Sequence, residues 1–280
     1  MEMLSPAKIN LFLKVLKKRS DGYHDIFSLM CPVSLYDSIS FNFAGYGIGV
    51  SCNYPDVPED ETNLAFRAAA LFFEQLGYRP SGLFMEIDKK IPVAAGLGGG
   101  SSNAATVLKA LNKHFENPFS QDQLQKIGLA IGADVPFFIL GKPAIARGVG
   151  ERLNVYGGLV DCKVILICPH IKVSTAQVYK NLNLGLTNCK KKPKYPIFKN
   201  RNFDFGSNLC NDLETVAVSW HPEISELKNA LVLQGAENVL MSGSGPTVFG
   251  LYKSMGQARK AVEKLSENKS WKVFLANLLL

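Results

Sequence analysis

Apolar and polar residues alternate near the start of the chain. Within residues 8–16, every second side chain from Ile9 to Val15 is apolar, and a period of two residues predicts a β-strand. Asp21-Gly22 is a typical turn sequence. A second alternation over residues 38–43 predicts further strand structure. The N-terminal part of the chain is therefore expected to be rich in β-structure.

Helical spacing of apolar residues takes over after residue 63. Apolar residues repeat at helical intervals over residues 64–76, and Gly77 is a natural helix stop. Further helices are predicted over residues 102–115, 121–131, 175–182, 209–219, 223–234 and 255–267, and strands over residues 83–87, 164–167, 239–241, 247–252 and 272–276. This mixture predicts an α+β fold, with α/β as the alternative class. We expect two domains, residues 1–155 and 156–280, divided before the Gly157-Gly158 pair.

Composition places the chain among ordinary globular proteins. Its 280 residues are 47% apolar and 20% charged, which argues against disorder, collagen-like sequence and a disulfide scaffold. The net charge is +7, and six basic residues with no acidic ones lie between Lys190 and Arg201. We predict a solvated surface loop over residues 187–202, because no aromatic stacking platform or nucleic-acid motif accompanies the charge. A nucleic-acid patch and a weak attraction for an anionic substrate are the alternatives.

The cysteines and the two ends of the sequence indicate where in the cell the protein is expected to be found. Six cysteines are scattered without a CxxC pair, which predicts reduced thiols rather than a zinc site or disulfides. Residues 1–10 lack the layout of a signal or transit segment, and no apolar run approaches the roughly 20 residues that span a bilayer. We therefore expect a cytoplasmic protein that does not enter a membrane. The closing ANLLL is expected to end the last strand.

The sharpest motif is the glycine-rich segment from Pro92 to Ala105. Four glycines fall within residues 96–100, where they allow positive φ and close approach of a ligand to the backbone. Ser101 and Ser102 stand where helix N-caps are expected. Free N–H groups at a helix start bind anions, phosphate above all. The segment is neither a P-loop nor a dinucleotide fingerprint, and its ordered, apolar-periodic flanks argue against a flexible linker.

Three weaker motifs have two interpretations each when taken alone. Lys8 and Asn10 point the same way from the first predicted strand, and the pair is either functional or simply exposed to solvent. Asp134 lies in an apolar stretch after a helix, where it either needs a partner or caps a turn. Residues 241–247 (MSGSGPT) form either a second functional glycine turn or a tight hairpin.

Together these motifs resemble the GHMP small-molecule kinases, which include galactokinase, homoserine kinase and mevalonate kinase. The order is the same: the N-terminal strand motif, then the glycine loop, then the Ser-Gly-x-Gly-Pro-Thr turn. Within the family, residues 6–13, 19–24 and 132–138 resemble the branch that acts on 4-diphosphocytidyl-2-C-methyl-D-erythritol in the non-mevalonate isoprenoid pathway. The resemblance extends as far as residue 250.

The resemblance implies a two-domain fold and a kinase reaction. The N-terminal half is expected to be similar to domain 2 of ribosomal protein S5 and the C-terminal half to be ferredoxin-like, with a cleft between the domains. ATP is expected to phosphorylate the C2 hydroxyl, with Lys8 countering charge and Asp134 accepting or orienting the hydroxyl proton. Mg²⁺ is expected to be bound mainly through the nucleotide phosphates. The departures from the family pattern, Ala94 in place of a glycine and the basic segment 189–201, remove no group that this chemistry needs.

The resemblance also implies which residues bind the two substrates. The expected phosphate-binding residues are Ala94, Ala95, Gly96, Leu97, Gly98, Gly99, Gly100, Ser101 and Ser102, with Asn63 and Lys89 near the adenine and ribose. Asn10 is expected to contact the methylerythritol, and Tyr23, His24, Thr175 and Tyr179 are expected to bind the cytidine end. The protein is expected to be a monomer or a weak homodimer.

Two other functions are weighed against this one. The first is another GHMP kinase, such as a mevalonate or homoserine kinase. The substrates of those enzymes contain no cytidine, so they do not need the cytidine-binding segment predicted at residues 21–24. A nucleic-acid-binding module is compatible with the basic charge and with a fold similar to a ribosomal-protein domain. Such a module has no need of the turn at residues 241–247 or of the Lys8 and Asp134 pair, so we expect no nucleic-acid partner.

Overall fold

The computed structural model describes residues 1–78, 82–186, 189 and 202–280. The strands are β1 (Glu2–Lys18), β2 (His24–Asn42), β3 (Ile48–Cys52), β4 (Leu83–Asp88), β5 (Ala144–Gly148), β6 (Arg152–Val155), β7 (Lys163–Pro169), β8 (Cys210–Asn211), β9 (Asn238–Met241), β10 (Val248–Tyr252) and β11 (Trp271–Asn277). The helices are α1 (Leu64–Leu76), α2 (Gly99–His114), α3 (Gln121–Ile131), α4 (Val135–Leu140), α5 (Thr175–Lys180), α6 (Phe205–Asn208), α7 (Glu214–Trp220), α8 (Glu223–Leu233) and α9 (Met255–Leu265), with a short 3₁₀ turn at Leu184–Leu186. The α+β class is confirmed.

Most elements that had a clear period are found where the sequence predicts them. Helix α1 ends at Gly77, which adopts φ +66° and donates its N–H back to the last turn. Helix α3 starts behind Ser120 in a capping box with Gln123, which explains its sharp N-terminal boundary. Strands β1 and β2 are far longer than the alternation predicts, because long stretches of both are buried on both faces and lose the period of two.

The first of two compact units consists of residues Met1–Ala7, Leu35–Val93 and Gly98–Gly141. In this unit β4 pairs with β3 in parallel and with the end of β2 in antiparallel register, Ser38 opposite Asp88. Helices α1 and α2 pack against each other. Helix α2 is buried along most of its length. Protein contacts on most sides of the helix fix its position in this unit.

The second unit consists of residues Lys8–Ser34, Ala94–Leu97 and Lys142–Leu280. Its four-stranded antiparallel sheet has the order β11-β7-β10-β9. Helices α8 and α9 pack on this sheet and supply part of its apolar core. The N-terminal strands join the same unit: β1 pairs with β8, and β2 pairs with β5. The predicted division into residues 1–155 and 156–280 stays a prediction.

Strand pairing involves the C-terminal segment of the chain and the first residues of the segment predicted as a helix over residues 209–219. Strand β11 includes Ala276 and Asn277, so the closing ANLLL does end the last strand, as predicted, and Leu278 forms a separate bridge with Val33. The helix begins only at Glu214, because Cys210 and Asn211 pair with Phe12 and Leu13 of β1. This short strand is missing from the sequence-based prediction, since two residues carry no period.

The prediction of six reduced thiols is wrong for one pair. Cys189 and Cys210 form a disulfide, with their Cα atoms 5.7 Å apart. The pairing of β8 with β1 fixes Cys210, and the Cys189 N–H donates to the Asp212 carboxylate, so tertiary contacts bring the two cysteines together. The other four cysteines are free thiols, and burial raises their pKa values, to about 12 for Cys162.

The basic segment from Lys190 to Arg201 lies outside the described residues, as does most of the surface loop predicted over residues 187–202. Among the helices that the structure describes, none combines the length and the apolar character needed to cross a bilayer.

Candidate functional site

Lys8 and Asn10 are buried side chains on β1, so the solvent-exposed interpretation of this pair is wrong. Lys8 is 5% exposed and Asn10 is 1% exposed. The Lys8 Nζ donates to Asn10 Oδ1 at 2.7 Å, and Asn10 Nδ2 donates to Ser28 Oγ at 2.9 Å. Ser28 in turn donates to the Phe12 carbonyl. A buried ammonium is stable only with polar partners or a ligand. The chain of hydrogen bonds through Asn10 and Ser28 fixes the orientation of the Lys8 side chain.

The glycine loop runs from Ala94 into α2. Ala94, Gly96 and Gly98 have φ values of +53°, +75° and +71°, so a non-glycine residue occupies one of three left-handed positions. Helix α2 begins at Gly99, with Gly98 as its N-cap and without a capping side chain. The first-turn N–H groups therefore lack the side-chain acceptor that usually covers them, which suits an anion.

The predicted N-caps at Ser101 and Ser102 are wrong, because both residues lie inside the first turn of α2. Ser102 is fully buried, and its hydroxyl accepts a hydrogen bond from Ser5 Oγ at 2.8 Å. Glycine at positions 99 and 100 hid the true start, since glycine is a poor helix former and is normally read as loop. A side chain at Gly99 would force its neighbours to move, because its Cβ would lie 2.7 Å from Lys89 Nζ.

The second glycine turn, residues 241–247, is the hairpin between β9 and β10, and it also contacts the glycine loop. Ser242 Oγ donates to the Gly96 carbonyl at 3.1 Å, and the Thr247 N–H donates to the Ala95 carbonyl at 3.4 Å. The Lys8 N–H donates to the Leu97 carbonyl. Residues 94–97 are thus held between β1 and the 241–247 turn, all within the second unit.

Asp134 occupies the N-cap position of α4, but its carboxylate makes no capping hydrogen bond there. The carboxylate thus does not cap the helix, whereas the residue does stand in a turn, as the alternative interpretation of a capping or turn aspartate predicts. The residue is half-buried and belongs to the first unit. Its neighbours Val135 and Phe137 are fully buried and hold this turn in place.

Lys89 and Asn63, expected near the adenine and ribose, are both buried in the first unit. Asn63 caps α1 by accepting from the Ala65 N–H, and its amide donates to the Pro58 carbonyl. The Lys89 ammonium forms an ion pair with Asp37, Nζ to Oδ2 2.5 Å, and the Asp37 side chain is fully buried. Asp37 was missed by sequence analysis: it lies in a strand, flanked by Tyr36 and Ser38, where no motif marks it.

The residues expected to bind cytidine lie in the second unit, and three of the four are held by neighbours. The His24 and Tyr179 rings stack with centroids 5.2 Å apart, and Thr175 Oγ1 is hydrogen-bonded to Ser244 Oγ at 2.7 Å. Burial lowers the pKa of His24, with the positive charge of Lys18 as the smaller cause, so the imidazole is neutral at pH 7. Tyr23 is 62% exposed and takes no part in the stacked pair.

Two family models match the chain. Residues 63–142 match the GHMP kinases N terminal domain, and residues 197–270 match the GHMP kinases C terminal. The first match contains the glycine loop, Lys89 and Asp134, and the second contains the 241–247 turn.

Relatives and solved structures agree with these matches. The chain is 46% identical, over 98% of each chain, to the 4-diphosphocytidyl-2-C-methyl-D-erythritol kinase of Syntrophus aciditrophicus. A crystal structure of 4-(cytidine 5'-diphospho)-2C-methyl-D-erythritol kinase is 36% identical, with a TM-score of 0.83 over 99% of each chain. A homoserine kinase from Cytophaga hutchinsonii has a TM-score of 0.76 over 100% of this chain and 94% of its own, at 18% identity, which shows a shared fold alone.

Proposed function

Because this chain belongs to the GHMP kinase family, we propose that it transfers the γ-phosphate of ATP to the C2 hydroxyl of 4-diphosphocytidyl-2-C-methyl-D-erythritol. The products are the 2-phosphate and ADP, in the non-mevalonate isoprenoid pathway. The relatives named for this reaction share 42–47% of their residues with the chain over nearly its whole length. The single observation that carries the choice of acceptor is the stacked pair of His24 and Tyr179.

The cytidine end of the substrate needs a planar contact and hydrogen bonds to the base edge. An aromatic pair supplies a stacking surface for a base. The neutral His24 imidazole has one donor and one acceptor nitrogen, which matches the mixed donors and acceptors on the edge of cytosine. Mevalonate and homoserine carry no such ring. Tyr23, which directly precedes His24 and is exposed, adds a further ring that can stack on the base.

The glycine loop and the start of α2 bind the ATP phosphates in the proposed reaction. The start of α2 suits an anion, because Gly98 has no side chain that could cap the N–H groups of the first turn. The residues assigned to this role are Ala94–Ser102. Lys89 and Asn63 lie at the adenine and ribose end.

Lys8 and Asp134 act on the acceptor hydroxyl. The hydroxyl oxygen forms a bond to the γ-phosphorus while the bond from that phosphorus to the ADP oxygen breaks, and ADP keeps the electron pair. Asp134 orients the hydroxyl and takes its proton, and Lys8 balances the negative charge on the phosphoryl oxygens. The transition state of phosphoryl transfer is loose, so positioning and charge matter more than the strength of the base. Asn10, which holds Lys8, contacts the methylerythritol hydroxyls.

Mg²⁺ is proposed to be held mainly through the nucleotide phosphates. Among the described residues, the one cluster of metal-ligating side chains is Cys189, Cys210 and Asp212, and its two sulfurs form a disulfide. That set does not fit Mg²⁺, which prefers oxygen ligands and retains water. When bound with ATP, the ion neutralises part of the phosphate charge. We further propose a cytoplasmic monomer or weak homodimer with no nucleic-acid partner.

The test is transfer of radiolabel from [γ-³²P]ATP to a panel of acceptors: 4-diphosphocytidyl-2-C-methyl-D-erythritol, mevalonate, homoserine and galactose. We expect labelled product with the cytidine acceptor alone. Label on mevalonate or homoserine, with none on the cytidine acceptor, would show that the chain is a different GHMP kinase.

A further inference from the structure

Asp37 is the centre of a buried polar network that connects β2, the end of β4 and helix α2. Its Oδ1 accepts from the backbone N–H groups of Lys90 and Ile91, both at 2.8 Å. Its Oδ2 accepts from Lys89 Nζ and from Asn103 Nδ2 at 2.9 Å. Both carboxylate oxygens are therefore fully used, and all these residues belong to the first unit.

The network continues to the first turn of α2 through Ser5. Asn103 Nδ2 also donates to Ser5 Oγ at 3.0 Å, and Ser5 Oγ donates to Ser102 Oγ at 2.8 Å. Ser5, Asp37 and Ser102 are fully buried. Such a connected set of short bonds specifies one arrangement of its members, because any member that moves leaves a buried group without a partner.

A charged pair is an expensive choice for a purely structural contact at this place. The side chains of Lys89 and Asp37 are 4% and 0% exposed, and a buried ion pair is often no more stable than apolar residues of the same volume. The ammonium also lies beside the start of α2, where a Cβ on Gly99 would be 2.7 Å from it. A cation at the positive end of a helix is unfavourable on its own, and Asp37 supplies the anion that balances it here.

We propose that Asp37 is a positioning residue for ATP: it holds Lys89 and the first turn of α2 in the geometry that binds the nucleotide. This inference rests on the proposed nucleotide role of Lys89 and of the glycine loop. Asp37 contacts the backbone just before the loop and the helix just after it, so one carboxylate sets both ends of the nucleotide-binding segment. Asp37 itself does not touch the reacting atoms.

The experiment measures the ATP dissociation constant by calorimetry, without acceptor, and then KM for each substrate and kcat. Asp37→Asn keeps the shape but replaces an acceptor with a donor and leaves Lys89 without its counter-ion. We expect ATP to bind about tenfold more weakly or worse, within the range of measured couplings between contacting residues. The KM for the cytidine acceptor is expected to stay within about twofold, the scatter of independent sites.

A double-mutant cycle and a matched control separate positioning from loss of stability. The Asp37→Asn/Lys89→Met double variant is expected to lose less ATP affinity than the two single losses added together, because Asp37 acts partly through Lys89 and partly through Asn103. Asn112→Ala is the control: it removes two hydrogen bonds to Phe119 at the other end of α2, and it should lower the melting temperature without changing ATP binding. Should Asp37→Asn not fold, Asn103→Ala tests the same network and is expected to weaken ATP binding about threefold.

The outcomes for the inference and for the proposed function are distinct. A folded Asp37→Asn variant with wild-type ATP affinity, or an equal loss of affinity in Asn112→Ala, would overturn the positioning role. Failure of the wild type to phosphorylate the cytidine acceptor, with ATP binding still lost in Asp37→Asn, would overturn the proposed acceptor and leave the role of Asp37 supported.

Discussion

Gly96 is the position at which a single methyl group tests the structure of the glycine loop most sharply. Its φ is +75°, which an alanine adopts at a cost of about 1–2 kcal/mol. A Cβ there would lie 2.2 Å from the Ser242 carbonyl oxygen and 3.0 Å from the Gly245 carbonyl oxygen. Both neighbours are backbone atoms of a tight turn, so neither can rotate away.

The expected loss in Gly96→Ala is the sum of two effects. Backbone strain contributes about 1–2 kcal/mol, and displacement of the 242–247 turn adds about 1–3 kcal/mol, the usual cost of overpacking. Gly235→Ala is the matched control, since Gly235 has φ +82° in the same unit and nothing within 4 Å of the added Cβ. It carries the strain without the clash.

Thermal unfolding and ATP binding are measured together for both variants. At roughly 2 °C per kcal/mol, Gly235→Ala should melt about 2–4 °C below wild type and Gly96→Ala about 4–10 °C below it. Gly96→Ala should also bind ATP more weakly, whereas Gly235→Ala should not. Equal melting temperatures and equal ATP affinities in the two variants would refute the packing of the loop on the 241–247 turn.

Three further predictions follow from single residues. Asp134→Asn should lower kcat by about 100-fold or more while leaving the ATP dissociation constant nearly unchanged; the exposed Asp122→Asn is the control, and a kcat within threefold of wild type would make Asp134 structural. Because the pKa of His24 is lowered in the folded state, stability should be lost as pH falls from about 6.5 toward that lowered pKa. The His24→Phe variant should lose less stability over that range in melts at pH 7 and pH 5, and identical losses would contradict the burial argument. Ala94→Gly should raise the free energy of unfolding by roughly 0.5–1 kcal/mol in denaturant titrations, because Ala94 has φ +53°; a decrease would contradict the strain.

The sequence predicted well those helices in which apolar residues recur at helical spacing over many residues, or in which a residue marks the end of the helix clearly. Helix α1 with Gly77 and helix α3 are of this kind. The sequence also singled out lysine at residue 8 and aspartate at residue 134, whose catalytic roles stay predictions, because they stand within recognisable motifs. What sequence could not show is that Lys8 is itself buried, since its face of β1 becomes covered only by tertiary contacts.

The missed features depend on contacts between distant residues. Asp37 has no periodic or motif signal, and its role appears only when β4 and α2 surround it. The start of α2 at Gly99 was missed because the buried packing of the helix overrides the low helix propensity of glycine. The disulfide between Cys189 and Cys210 joins residues 21 positions apart and depends on the position of β8.

The measurement that tests the central claim most directly is the ³¹P NMR spectrum of the product formed from ATP and 4-diphosphocytidyl-2-C-methyl-D-erythritol. The acceptor has a primary hydroxyl at C1, a tertiary one at C2 and a secondary one at C3, and C2 carries a methyl group and no hydrogen. We predict a new phosphate monoester signal without three-bond coupling to a carbinol proton, formed in step with ADP. A triplet from C1, a doublet from C3, or ADP without a new monoester would contradict transfer to the C2 hydroxyl.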